Sequence, residues 1–251
     1  MQLFDAPALV LDVIDLQERD RIVVFLTAEH GTKRGVARGA RTKFSRFAGQ
    51  LLPLAKVRVT WAEKPGRELV RISDVQTLRP AAPIQEQLES LLLGSYLAEH
   101  MVELVHENDP SSAWFRLLDS SIEALLEGID PMLVGRYFEV WALRLSGVLP
   151  VPRDCPLCGQ GFEERGGAAL LESEGAVVCA ACAAGQRHLA VGAGELAFLR
   201  RSGSQNLRQM ADDPPPSALL ARLEQLAAHV RRHFLQKELR SYRVMRSVLA
   251  S

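Results

Sequence analysis

Residues Gly31–Ala62 read GTKRGVARGARTKFSRFAGQLLPLAKVRVTWA, and this stretch decides what kind of domain opens the chain. It carries eight cations, Lys33, Arg34, Arg38, Arg41, Lys43, Arg46, Lys56 and Arg58. No acidic residue lies between Glu29 and Glu63. Gly31, Gly35, Gly39 and Gly49 punctuate the stretch, so it is not one helix. Its last part, Leu51–Trp61, alternates Lys56 and Arg58 with Val57 and Val59, the period of a half-buried strand. Cations at this density repel one another unless an anion neutralises them, and a phosphate backbone is the usual anion. Phe44, Phe47 and Trp61 sit among the charges. Cations with interleaved rings suit single-stranded nucleic acid, because charges follow phosphates and rings stack on bases. A solvated barrel face with its aromatics in the core has the same pattern.

On either side the chain reads as short strands. Ala8–Ile14 and Arg21–Thr27 are rich in β-branched residues, Thr32–Ala37 is a weaker third strand, and Glu68–Leu78 returns after the turn at Lys64–Arg67. Pro53 marks a bulge or an edge. Five short strands with long connections predict a small Greek-key barrel, either an OB-fold or an SH3-like barrel.

Arg79–Pro83 (RPAAP) ends the strand region, and from Ile84 the hydrophobic period becomes helical. Helices are expected after Ile84, over 112–127, from Asp130-Pro131 to about Ser146, over Gly194–Arg201, over Ser217–Phe234 and over Gln236–Leu249. Asp130 is the expected N-cap, with Pro131 at the first helical position. DDPPPS at 212–217 reads as a linker. The expected domains are 1–80 and 81–251, with a cysteine-bearing insert over 153–185. Charge supports the division: residues 1–80 carry 14 Lys+Arg and 9 Asp+Glu, whereas 81–251 carry 16 and 21.

The four cysteines form two C-x-x-C knuckles, Cys155-Pro-Leu-Cys158 and Cys179-Ala-Ala-Cys182, with twenty residues between them. Each knuckle places two thiolates on one metal, and together they predict a closed, structural four-cysteine zinc site with one Zn2+ per chain. A closed site leaves no position for a reactive water, and neither H-x-E nor a P-loop nor a G-x-S-x-G elbow is present. No enzymatic chemistry is therefore expected. His229 and His233 lie four apart in HVRRH, without the glutamate of a metalloprotease helix, and read as part of a basic helix face. Arg240, Arg243 and Arg246, beside Leu239 and Val244, make a second basic row suited to DNA or to an acidic protein tail. The first residues have no basic region of a secretory signal, and no apolar run approaches the ~18 residues of a membrane span. A soluble, cytoplasmic protein without membrane contact is expected.

Several of these pieces, in this order, resemble the RecO family of bacterial recombination mediator proteins. They are Glu18–Val23 followed by Glu29-His30-Gly31, and Gly35–Arg41 with Ser45-Arg46-Phe47 and Leu51–Leu54. Phe138–Gly147 before the knuckles and Leu239-Arg240-Ser241 complete the set. The resemblance implies an α+β multidomain protein: an N-terminal OB-fold barrel, then an all-α domain carrying an inserted four-cysteine zinc finger. It implies recombinational DNA repair by binding single- and double-stranded DNA, annealing complementary strands and helping to load RecA on DNA coated with single-stranded-DNA-binding protein. RecR, RecA and the tail of the single-stranded-DNA-binding protein are the implied partners, and the implied location is the bacterial nucleoid. Charge alone assigns Lys33, Arg34, Arg38, Arg41, Lys43, Arg46, Lys56 and Arg58 to phosphate, and Phe44 and Trp61 to stacking, with Phe47 in the core. An RNA-binding OB-fold protein of translation or ribosome assembly fits the same residues.

Overall fold

A computed structural model describes residues 2–107, 109–149, 153–172 and 175–249. Asn108, in an expected turn, and Ser173 and Glu174, inside the expected insert, lie outside the described residues. Five strands, β1 (Gln2–Leu16), β2 (Asp20–Thr27), β3 (Gly31–Ala37), β4 (Lys56–Glu63) and β5 (Val70–Arg79), close into a barrel in the order β1-β2-β3-β5-β4. All neighbours are antiparallel except β3 and β5, which pair in parallel over Gly35–Ala37 and Val70–Ile72. β1 is longer than expected because it serves two neighbours: Gln2–Leu9 pair with β4 and Ala8–Leu16 with β2, with a bulge between Val10 and Asp12.

The expected strand over Leu51–Trp61 begins only at Lys56. Leu54 has φ +72° and turns the chain there, while Leu51, Leu54 and Ala55 are all buried instead of alternating. From Lys56 the alternation holds, with Val57, Val59 and Trp61 inward. Trp61 is fully buried, stacked on Phe4 at 5.3 Å and flanked edge-on by Phe25 and His30. Its indole N–H donates to Glu63 at 3.0 Å. Trp61 is therefore core, and the expectation that it stacks on a base is corrected.

The chain divides into two compact units, residues 1–126 with 239–251, and residues 127–238. The barrel strands end at Arg79, but α1 (Ala82–Gln85), α2 (Leu88–Leu104) and α3 (Ser112–Leu126) belong with the barrel. Gly94 of α2 lies so close to Leu54 that a Cβ there would overlap its Cδ1. Lys56 and Arg79 of adjacent strands both reach Asp119 of α3, at 2.6 and 2.7 Å, and Arg79 also meets Glu123. The last helix of the chain returns to this first unit and packs on α2.

The second unit holds α4 (Pro131–Leu145), where Asp130 accepts from the Met132 N–H and Pro131 sits in the first turn, as the sequence predicts. A three-stranded sheet follows, β6 (Ala168–Leu171), β7 (Val177–Cys179) and β8 (His188–Val191), in the order β7-β6-β8. The expected insert thus carries strands that continue past residue 185. Helix α5 (Ala180–Ala183) is one turn long, and α6 (Ala193–Ser204), α7 (Leu207–Asp212) and α8 (Ser217–Leu235) complete the unit. Arg231 is not part of a solvated basic face: it is buried, meeting Glu139 at 3.5 Å and Glu238 at 2.6 Å. Arg136 meets Glu139 and Glu224, and Arg232 also meets Glu238. Among the described residues, no helix is long and apolar enough to cross a membrane.

Truncating the barrel's central ring has a definite expected result. Trp61→Ala should lower unfolding free energy by ~3–5 kcal/mol, measured by chemical denaturation.

Candidate nucleic-acid surface and metal centre

The two knuckles meet in the second unit. Gly159 donates from its backbone to the Cys155 carbonyl at 2.8 Å, closing the first knuckle, and Gly159 takes a φ of +70° to do so. The second knuckle starts at the end of β7 and uses the one turn of α5 to bring Cys182 back. All four sulfurs lie within 4.8 Å of one another. Four ligands at ~2.3 Å from a tetrahedral zinc stand about 3.8 Å apart, and Cys158 and Cys179 Sγ are separated by 3.8 Å. None of the four is in a disulfide. Burial alone would raise the Cys155 thiol, but backbone N–H groups of Cys179, Leu157 and Cys158 outweigh it and bring it down to about 6. Cys182 is pushed up to about 12 by the thiols of Cys179 and Cys158. Four thiolates do not coexist in so small a space without a cation, and a divalent metal supplies the missing charge. The donor set fits zinc.

The eight expected phosphate contacts separate into two groups. Lys33 is buried and meets Glu63 at 2.6 Å. Burial works to raise the Glu63 pKa, but hydrogen bonds from Lys33 and Trp61 outweigh it and lower it. Lys56 is held by Asp119 at 2.6 Å, Arg58 by Asp5 at 2.8 Å, and Arg41 by Asp15 at 3.4 Å and by the Gln17 carbonyl at 2.7 Å. The hydrogen bonds from Arg58 and Thr60 lower the Asp5 pKa. Lys33 and Lys56 are thus structural ion-pair members, which corrects their assignment to phosphate.

Arg34, Arg38, Lys43 and Arg46 are exposed, and no ion pair involves them among the described residues. Arg34 and Arg38 lie on or just past β3. Lys43 and Arg46 lie on the succession of turns that follows, anchored where the Gly39 N–H donates to Asp20 at 2.8 Å. Phe44 is 92% exposed, whereas Phe47 is buried beneath the Arg46 guanidinium at 4.9 Å, as expected for a core ring. The sequence missed Lys64, Arg67 and Arg71, which are exposed on and beside the β4–β5 turn. Strand register is the signal that finds Arg71, since Val36 of β3 pairs with it.

The last helix, α9 (Arg240–Leu249), has Met245 buried and Arg240, Arg243 and Arg246 exposed. Leu239 is 1% exposed and is not part of that surface, but Val244 is 52% exposed beside the arginines. The Glu99 carboxylate accepts from the backbone N–H groups of Arg240 and Ser241, at 3.0 and 2.7 Å, and from the Ser241 hydroxyl. It thereby satisfies donors that a helix start otherwise leaves open. Burial acts to raise the Glu99 pKa; these bonds outweigh it and lower it below 4.5.

Comparison with known proteins places this geometry. The family model for the recombination protein O N terminal matches residues 1–81, and that for its C terminal matches 85–243. The chain belongs to the RecO family. DNA repair protein RecO of Anaeromyxobacter sp. strain K is 35% identical over 227 residues, 89% of each chain. That of Myxococcus xanthus strain DK1622 is 33% identical over 251 residues, 99% of each chain. That of Geobacter sulfurreducens is 35% identical over 179 residues, about 70% of each. The family indicates a role in recombinational DNA repair.

Two measurements follow from this geometry. Protein purified without chelator should hold one zinc per chain by elemental analysis, and Cys155→Ser should lose it; metal-free wild-type protein would refute the site. Glu99→Gln should cost ~0.5–2 kcal/mol at pH 7. A carboxylate depressed by folding contributes stability above its unfolded pKa and loses it as pH falls through the folded value. Denaturation curves of wild type and Glu99→Gln should therefore converge as the pH falls below 4.5.

Proposed function

We propose that the chain is a DNA-binding recombination mediator without covalent chemistry of its own. The observation that carries this reading is the set of exposed cations Arg34, Arg38, Lys43 and Arg46 beside the exposed Phe44, on one barrel of a DNA-repair family member. The barrel's 1-2-3-5-4 closure supports an OB-fold as the nucleic-acid-binding domain over 1–80. The helical region 81–251 then carries the zinc finger, with a structural Zn2+ on Cys155, Cys158, Cys179 and Cys182. The proposed mechanism is electrostatic. Neutralising phosphates on single- and double-stranded DNA removes the repulsion that slows annealing of complementary strands.

In this reading the protein works in the cytoplasm at the nucleoid with RecR, and helps RecA onto DNA coated with single-stranded-DNA-binding protein. The exposed Arg240, Arg243 and Arg246 beside Val244 suit the acidic, apolar tail of that coating protein. Reversing Arg243 and Arg246 to Glu should weaken a tail peptide more than DNA.

The binding test is a salt titration with labelled single strands, run with DNA and RNA. Arg38→Ala or Arg46→Ala should each reduce the slope of log K against log salt by ~0.7 without altering sequence preference. Lys56→Ala should leave that slope unchanged and lower the melting temperature, because its charge is committed to Asp119. Annealing should proceed equally with and without ATP; an ATP requirement, or tighter RNA than DNA binding, would overturn the reading.

A further inference from the structure

The turn joining β4 to β5, Lys64–Leu69, stands between two clefts on the barrel. It is a tight turn with Pro65 and Gly66 in the middle, Gly66 at φ +76°, closed by the Arg67 N–H donating to the Lys64 carbonyl at 3.2 Å. Every residue of it is exposed. Charge distinguishes the clefts. The larger, of about 940 Å³, is lined by Lys33, Arg34, Lys64 and Arg67 but also by Glu63, Glu68 and Glu107, which nearly cancel them. The other, of about 650 Å³, is lined by Arg38, Lys64, Arg67 and Arg71 against Glu68 alone.

Register explains why these cations converge. β3 and β5 run in parallel with Val36 opposite Arg71, so the two share a face, and Arg38 lies two positions along it. The turn supplies Lys64 and Arg67 from above. Between the charges lie Val36, Leu69 and Val70, and Leu69 is 37% exposed. Among the described residues no carboxylate forms an ion pair with Lys64, Arg67 or Arg71. Cations around an apolar floor are what a single nucleic-acid strand uses, since its phosphates and its unstacked bases need different partners.

We infer that the cleft between the β4–β5 turn and the β3–β5 pair binds a single DNA strand, with Lys64, Arg67 and Arg71 joining Arg38 as phosphate contacts. The inference rests on the proposed DNA-binding function and adds to it three residues and a path for the strand. It is tested by anisotropy titration of a labelled oligothymidylate over a range of salt. Three proteins are compared: wild type, the triple variant Lys64→Ala/Arg67→Ala/Arg71→Ala, and the charge-keeping triple Lys64→Arg/Arg67→Lys/Arg71→Lys. Three lost contacts should reduce the slope of log K against log salt by about 2, with the melting temperature unchanged and the charge-keeping variant near wild type. If wild type binds and the alanine triple keeps its slope, the cleft is not the strand's path, although the barrel can still bind DNA elsewhere. Loss of slope in the charge-keeping triple as well would make the effect one of shape and overturn the inference. Wild type that does not bind the oligonucleotide would instead remove the proposed function itself.

Discussion

The barrel closes through a parallel contact only three residues long, Gly35–Ala37 against Val70–Ile72, and the rest of the first unit depends on it. Side chains of β5 crowd this seam. A Cβ on Gly35 would lie 2.7 Å from Ile72 Cγ1 and 3.0 Å from Val70 Cγ2, closer than carbon atoms pack. The missing side chain lets β3 reach β5, and with the seam closed the exposed cations of β3 and β5 come onto one face. A larger residue would open the seam and remove the shared face, without touching a single charge.

Charge in the first eighty residues shows why a linear acid-free run is not a spatial one. From Glu29 to Glu63 the chain has no acid between, yet Asp5, Asp15, Glu63 and Asp119 come from elsewhere to meet Arg58, Arg41, Lys33 and Lys56. The charges that stay in water belong to the outer face of β3 and to the turns beyond it. In the second unit the same rule acts in reverse, because Arg136 and Arg231 are buried with Glu139 between them. Removing one member of such a network leaves an uncompensated charge, at a cost of ~3–5 kcal/mol.

Much of the fold was legible because it rests on local chemistry. A β-branched run located β2, Thr32–Ala37 was legible as a weaker strand at β3, alternation located most of β4, and Asp130-Pro131 located the start of α4. The paired knuckles located the thiol cluster, since two C-x-x-C turns leave little freedom in where the sulfurs point. What was not legible is non-local. The first half of β1 is a strand because β4 lies beside it, not because QLFDAP favours one. Trp61 sits in a basic segment but points inward by strand parity, and α7 is too short, at six residues, for hydrophobic period to reveal. Lys64, Arg67 and Arg71 lie past Glu63 in sequence; the parallel register brings Arg71 onto the face of Val36, and the β4–β5 turn brings Lys64 and Arg67 to the same cleft as Arg38.

The return of α9 to the first unit has a temporal side. Residues 127–238 form a compact unit of their own, flanked in the chain by the two segments of the other. On a ribosome the second unit can therefore be complete while the first still waits for its last helix. Until residues 240–249 emerge, the side of α2 that carries Tyr96 lacks the Tyr242 ring now 5.5 Å away, and the Glu99 carboxylate lacks the amides it caps. The barrel-bearing unit thus reaches its final stability only once α9 has been made, and a chain stopped short of α9 would leave that unit, rather than the thiol-bearing one, unfinished.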